Sequence, residues 1–192
     1  MISVLFARTD SIYKQLGCDV WDIDRDARKF NGKNPVIAHP PCRAWGRLRT
    51  FANPRDDEKD LAFFAVEQVR RCGGILEHPA KSTLWAAAGL PLPGATDEFG
   101  GITLGIKQSD FGHRAEKNTW LYICGLRPQD LPTPALVMGL PSFVVQTSLP
   151  KTNPRWRPSI SKAEREHTPR PLAEWLIKVA KCTNLTTVKS EH

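Results

Sequence analysis

Cys42 stands behind two prolines and ahead of three arginines in the stretch AHPPCRAWGRLR, residues 38–49. A thiolate is the reactive form of cysteine, and nearby positive charge favours it over the thiol. Arg43, Arg47 and Arg49 are therefore expected to lend Cys42 thiolate character and to receive an anionic ligand. A second candidate is Glu77 in LEHP, residues 76–79, a carboxyl able to give a proton to a substrate nitrogen. The plainer alternatives are that Cys42 packs as a small hydrophobe and that Glu77 pairs with a surface lysine. His78 and His113 are each read as following a strand end. There they would titrate near neutrality as a base or phosphate ligand, or simply bond to the backbone of a turn. The run HPPC lacks the paired ligand spacing of structural zinc sites, so no metal is assigned.

The elements that must position these residues read as an α/β chain. ISVLF is a short apolar run and a buried strand, TDSIYKQLG a short helix stopped by Gly17, and CDVWDID a second strand ending in acids. NPVIAHPPC reads as a third strand ending at the proline pair, and GILEHP as another ending at a proline. In open α/β sheets ligands bind where the carboxyl ends of strands meet, which would bring Cys42 and Glu77 to one pocket.

Residues 54–71 are expected to form a helix capped by Asn53 with Pro54 in its first position and Gly73 at its end. GITLGIKQSDFG and NTWLYICGL read as antiparallel strands. RPLAEWLIKVAKC reads as a final amphipathic helix burying Leu172, Trp175, Leu176, Val179 and Ala180. The expected fold is thus a Rossmann-like open, mostly parallel sheet with helices on both faces. It spans a single domain, residues 1–182, followed by a flexible tail over 183–192.

Length and composition agree with one soluble domain: 192 residues, 41% hydrophobic and 24% charged. A formal charge of +7 favours an anionic partner, nucleic acid first among them. Five cysteines without a CxxC pair suit reduced thiols, and the N-terminus lacks the basic-then-apolar pattern of a signal peptide. The expectation is a cytoplasmic protein with no membrane association.

In order, these elements resemble the core of the cytosine-C5 DNA methyltransferase family. The resemblance rests on LFA at 5–7, Asp22 in VWDIDRDA, the PPC of Pro40, Pro41 and Cys42, and EHP at Glu77, His78 and Pro79. DFGHRAEKNTWLYICG and EHTPRPLAEWLIKVA match the family's two later motifs more loosely. It implies a class I methyltransferase-like core, and a catalytic pair in which Cys42 adds to pyrimidine C6 while Glu77 holds the N3 edge of a base flipped out of DNA. Arg43, Arg47 and Arg49 would then neutralise phosphates. Trp45 would stack against the base or fill its gap, or else pack in the core.

Three departures redirect that expectation. The family's glycine loop for S-adenosylmethionine is replaced by RTDS, residues 8–11; its later arginines by EKNTW, residues 116–120; and its target-recognition domain has no counterpart in the segment 125–169. An enzyme that reads no sequence must recognise a base already marked. Phage DNA hypermodification supplies such a base, 5-hydroxymethyluracil activated as a pyrophosphate, onto which an amine or amino acid such as glycine is transferred. That reading places the protein in the cytoplasm of a phage host and needs no cofactor. Asp10 or Asp22 would meet the donor, and Arg114 and Lys117 the anionic leaving group. The alternatives are S-adenosylmethionine-dependent cytosine-C5 methylation, which would use Asp22 for the cofactor ribose, and a non-catalytic DNA-binding relative.

Overall fold

The computed structural model describes residues 1–47, 49–137, 139–147 and 149–184. Six strands form one mixed sheet in the order β2-β1-β3-β4-β6-β5. β1 (Ser3–Leu5), β2 (Asp19–Trp21), β3 (Val36–Ala38) and β4 (Gly74–Pro79) run parallel. β6 (Asn118–Cys124) is antiparallel to β4, and β5 (Ile102–Lys107) is antiparallel to β6. The expected mostly parallel α/β sheet is therefore found, with an antiparallel pair at one side.

Alternation along the strands builds two cores. Leu5, Ala38 and Leu76 point to one face, where α2 (Glu58–Cys72) covers them with Ala62, Ala65, Val66 and Val69. Val4, Ile37 and Ile75 point to the other, beneath Leu172, Leu176, Val179 and Ala180 of α5 (Arg170–Cys182). Full burial of each such leucine or valine contributes about 1.5–3 kcal/mol, which anchors both helices to the sheet. β3 and β4 approach closely at Gly74, whose φ is +123°; a Cβ there would lie 2.0 Å from the Val36 carbonyl oxygen.

α1 (Ile12–Gln15) begins at Ser11, whose hydroxyl accepts from the Tyr13 amide, and it ends before Gly17 as expected. α5 matches its expected span and buried face. α2 does not start where expected. Residues 54–57 are irregular and Asp57 is the N-cap, without a side-chain cap bond. Arg55 draws Asp57 into an ion pair at 3.0 Å, with Arg28 a further 3.6 Å away, so the acids serve arginines instead of extending the helix. Of the tail expected over 183–192, Thr183 bonds back to Ala180 and the Asn184 amide donates to the Gly125 carbonyl at 2.6 Å. The rest, 185–192, lies outside the described residues. Among the described residues no helix is long and apolar enough to cross a membrane.

The chain leaves β1 outward to β2 and returns to β3 on β1's other side. Such a reversal opens a crevice at the carboxyl ends of the strands, the usual ligand position in open α/β sheets. The segments that emerge there are Phe6 to Ser11 after β1 and His39 to Gly46 after β3.

Candidate active site at the sheet edge

Ala38 pairs with Leu76, so the next residues along β3 and β4, His39 and Glu77, stand side by side. His39 Nδ1 lies 2.8 Å from Glu77 Oε2. The other oxygen, Oε1, accepts from Gln108 Nε2 at 2.9 Å and faces Lys117 Nζ at 3.8 Å. Gln108 opens a 3-10 turn (Gln108–Phe111) after β5, and its amide also donates to Thr119 Oγ1 of β6 at 3.1 Å. Burial works to raise the Glu77 pKa. The charge of Lys117, the His39 hydrogen bond and the charges of His39 and His78 outweigh it and hold the carboxyl well below its usual range. Glu77 is thus an ionised acceptor in the free protein, not the proton donor expected from the sequence.

An ionised carboxylate only accepts, so His39 Nδ1 carries a proton toward it, while Nε2 lies 3.1 Å from the Tyr13 hydroxyl, which can donate to it or accept from it. Tyr13 is fully buried. Burial, Glu77 and Cys18 push its phenol pKa up, against a hydrogen bond with Thr168, so the hydroxyl keeps its proton.

Cys42 starts a tight turn in which Trp45 and Gly46 both donate to its carbonyl, at 3.1 and 2.8 Å. The prolines before it bring no N–H of their own. The turn is fastened to the exit of β4, since the Trp45 carbonyl accepts from the Thr83 amide and from the Thr83 and Ser82 hydroxyls. Cys42 itself is exposed. The protein packed around its sulfur nevertheless pushes its pKa up from 9.0; Glu77 adds to the rise, and the cation that opposes it is Lys117. Of the three arginines expected to favour the thiolate, Arg43 is bound to the buried carboxylate of Glu58 yet still feels the charge of Cys42, whereas Arg47 and Arg49 lie exposed with no ion pair to a described residue.

The structure brings Cys42, Glu77 and Lys117 within electrostatic reach of one another, buries His78 beside Glu77, and sets the remaining candidates elsewhere. His78 lies within β4, 1% exposed, its ring 6.3 Å from that of Trp85. Burial lowers its pKa to about 4, with Glu77 and the Pro41 carbonyl opposing and Lys117 assisting. It is neutral at neutral pH, contrary to the expectation that it titrates there, and neither ring nitrogen makes a hydrogen bond of ordinary geometry. His113 follows the 3-10 turn, not a strand, and is buried with Nδ1 against the Ala115 backbone. Arg114 forms a two-point ion pair with Glu164, both contacts at 2.7 Å, and stacks over Phe143.

After β1 the altered loop is full of side chains. Arg8 bonds Asp10 and Glu166, each at 2.8 Å, and His167 lies 3.6 Å from Asp10. Phe6 holds φ at +61°, a conformation uncommon outside glycine, and packs edge-on against Phe64. Asp22, nearly buried, gives one oxygen to Lys14 at 2.7 Å and the other to the amides of Asp24 and Arg25. The Lys14 bond comes first among the causes that lower its pKa. A hollow of about 420 Å³ beside it is lined by Lys14, Cys18, Val20, Asp22, Asp24 and Arg25. The side chains of Arg8 and Asp10 stand in the loop after β1, where the family resembled in sequence carries glycines.

Trp45 belongs to the core, 6% exposed and edge-on to Phe63, whereas Phe51 in the basic segment beyond it is 87% exposed. Tyr13, His39 and Gln108 were not among the expected site residues. Only His39, adjoining the proline pair at a strand end, carries a sequence signal; Gln108 reaches Glu77 across 31 residues through strand pairing. Among the described residues no group of three His, Cys, Asp or Glu side chains is placed to hold a metal ion. A scan against protein-family models finds no match, and a search of curated proteins finds none.

Proposed function

We propose that the protein is a DNA-modifying transferase that acts at pyrimidine C5 through a Cys42 adduct at C6. Its transferred group is an amino acid or amine such as glycine, and its acceptor a pyrophosphate-activated 5-hydroxymethyluracil. One observation carries this reading: Cys42, in the turn after β3, and the buried ionised carboxylate of Glu77 on neighbouring β4 feel each other's charge, with Lys117 acting on both. Four parallel strands with a reversed strand beyond β4 are consistent with a reduced methyltransferase-like core.

The chemistry follows from these groups. Cys42 loses its proton and the thiolate bonds to C6, sending electrons through C5 and C4 onto O4. Their return expels pyrophosphate from the C5 methylene and leaves an exocyclic C5=CH2. The amine nitrogen bonds to that carbon and sheds a proton, O4 again holds the charge, and the thiolate departs from C6 as the ring double bond re-forms. Amine and activated base are consumed, the substituted base, pyrophosphate and a proton are released, and Cys42 is restored. Lys117 stabilises the charge on O4 by its ammonium. Methylation fits less well, because Arg8, Asp10 and Glu166 fill the donor side. A DNA-binding relative without turnover has no use for a buried carboxylate held ionised by three donors.

Incubation with DNA carrying unmodified, hydroxymethylated or pyrophosphorylated pyrimidines and a pool of amino acids tests the reading, with nucleoside mass spectrometry as readout. Mass gain is expected on the pyrophosphorylated uracil alone and is lost in Cys42→Ala. A methyl gain on cytosine with S-adenosylmethionine, or no gain on any substrate, overturns it.

A further inference from the structure

We propose that Glu77 and Lys117 form an acceptor–donor pair that reads the uracil edge and rejects cytosine, and that His39 and Tyr13 are the positioning residues that keep it so. This rests on the reaction proposed above and goes further, because it assigns the base by a hydrogen-bond pattern. Uracil presents N3–H as a donor beside O4 as an acceptor; cytosine presents the reverse, a bare N3 beside a donating N4 amine. The two side chains offer an acceptor and a donor at matching separation, Oε1 and Nζ being 3.8 Å apart, and the thiol that must reach C6 feels both.

The pattern holds only while Glu77 keeps its charge, and the surroundings see to that. His39 Nδ1–H and Gln108 Nε2–H both point donors at the carboxylate. The imidazole could present its bare nitrogen to Glu77 only by turning Nε2–H toward Tyr13. That arrangement would take a donor from the ionised carboxylate and set a lone pair against it, and the buried Tyr13 hydroxyl, 3.1 Å from Nε2, keeps the ring seated where Nδ1–H meets Glu77. The charged or titratable groups around Glu77 are Lys117, His39, His78 and Cys42, with Tyr13 one bond further out. A neutral cytosine N3 facing this carboxylate would require a proton that the site is built to withhold.

Two measurements test the inference. Nitrogen-15 NMR of the imidazoles in the free protein should show His39 Nδ1 protonated and hydrogen-bonded, and Tyr13→Phe should weaken that bond. A bare Nδ1 in the unaltered protein overturns the assignment. Anisotropy titrations with duplexes carrying one 5-hydroxymethyluracil or one 5-hydroxymethylcytosine should favour the uracil at least tenfold. His39→Asn, which keeps a donor at the Nδ1 position, should retain that preference, while His39→Leu and Glu77→Gln should lose it. Equal binding of the two duplexes by the unaltered protein overturns base selection and leaves the reaction standing. Binding of neither duplex overturns base selection as well, and only loss of mass gain on the pyrophosphorylated uracil overturns the reaction.

Discussion

Glu58, 1% exposed at the first turn of α2, closes its carboxylate on Arg43, whose side chain is 49% exposed, the Nε contact being 3.2 Å. The residue after Cys42 is thereby tied to the helix that carries one of the two cores. Removing the partner of a buried carboxylate leaves a charge without compensation. Arg43→Met is expected to cost about 2 kcal/mol, less than a fully buried pair because the outer half of the arginine is hydrated. Urea denaturation reads the loss. Glu58→Gln in the same background should restore part of it.

The thiol of Cys42 is pushed upward from 9.0 by its surroundings, so most of it is protonated at neutral pH. Alkylation by iodoacetamide, followed by intact mass, should be slow at pH 7 and still rising beyond pH 9. Lys117→Met removes the opposing charge and should shift the profile further alkaline. Glu77→Gln removes a negative charge and should shift it back. A plateau below pH 8 in the unaltered protein contradicts this account.

Acid stability should fall in two windows. His78 has a folded pKa of about 4 against an ordinary 6.5. Its contribution is complete above 6.5 and is lost as pH falls toward 4, for a total of about 3 kcal/mol. Glu77 is also depressed, so its contribution is present above the usual 4.5 and drains away below it. The groups facing His78 are Glu77, Lys117, the Pro41 carbonyl and the Trp85 ring. Denaturation curves from pH 7 to 3 should show His78→Phe flattening the upper window and Glu77→Gln the lower.

How far the sequence carried the reading depends on the range of the interactions. α5 and the end of α2 at Gly73 were legible because apolar spacing and a glycine stop are local signals. The start of α2 was not, since its acids answer to arginines at positions 28, 43 and 55. Cys42 and Glu77 could be picked out from short motifs. Their electrostatic state could not, because it is set by burial and by Lys117, His39 and His78, which meet through strand pairing. Of the arginines adjacent in sequence to Cys42, the structure ties Arg43 to Glu58 and leaves Arg47 and Arg49 without an ion pair to a described residue.

Arg47 and Arg49 remain exposed beside Phe51. Each alanine substitution at the arginines should reduce the slope of log affinity against log salt by about one on duplex DNA. Phe51→Ala should weaken binding to DNA with an unpaired base by about 1–3 kcal/mol, the scale of one aromatic stack. Trp45→Ala should instead destabilise the fold, because its ring lies in the core.

Titration calorimetry with S-adenosylmethionine should register no binding, since the Arg8 ion pairs close the loop after β1. Stoichiometric binding would return the reaction to methyl transfer.

Glu77 belongs to β4 and Lys117 immediately precedes β6, two hydrogen-bonded strands in fixed register, whereas Cys42 sits in a separate turn after β3, fastened to the segment beyond β4. In the proposed reaction, recognition and attack belong to separate mechanical parts. Exchanging the pair on the strands would then change which base is accepted while leaving the mount of Cys42 untouched. Such a division would let a protein of the proposed kind follow a changing DNA chemistry by substitution at one or two positions, without rebuilding the turn that carries the thiol.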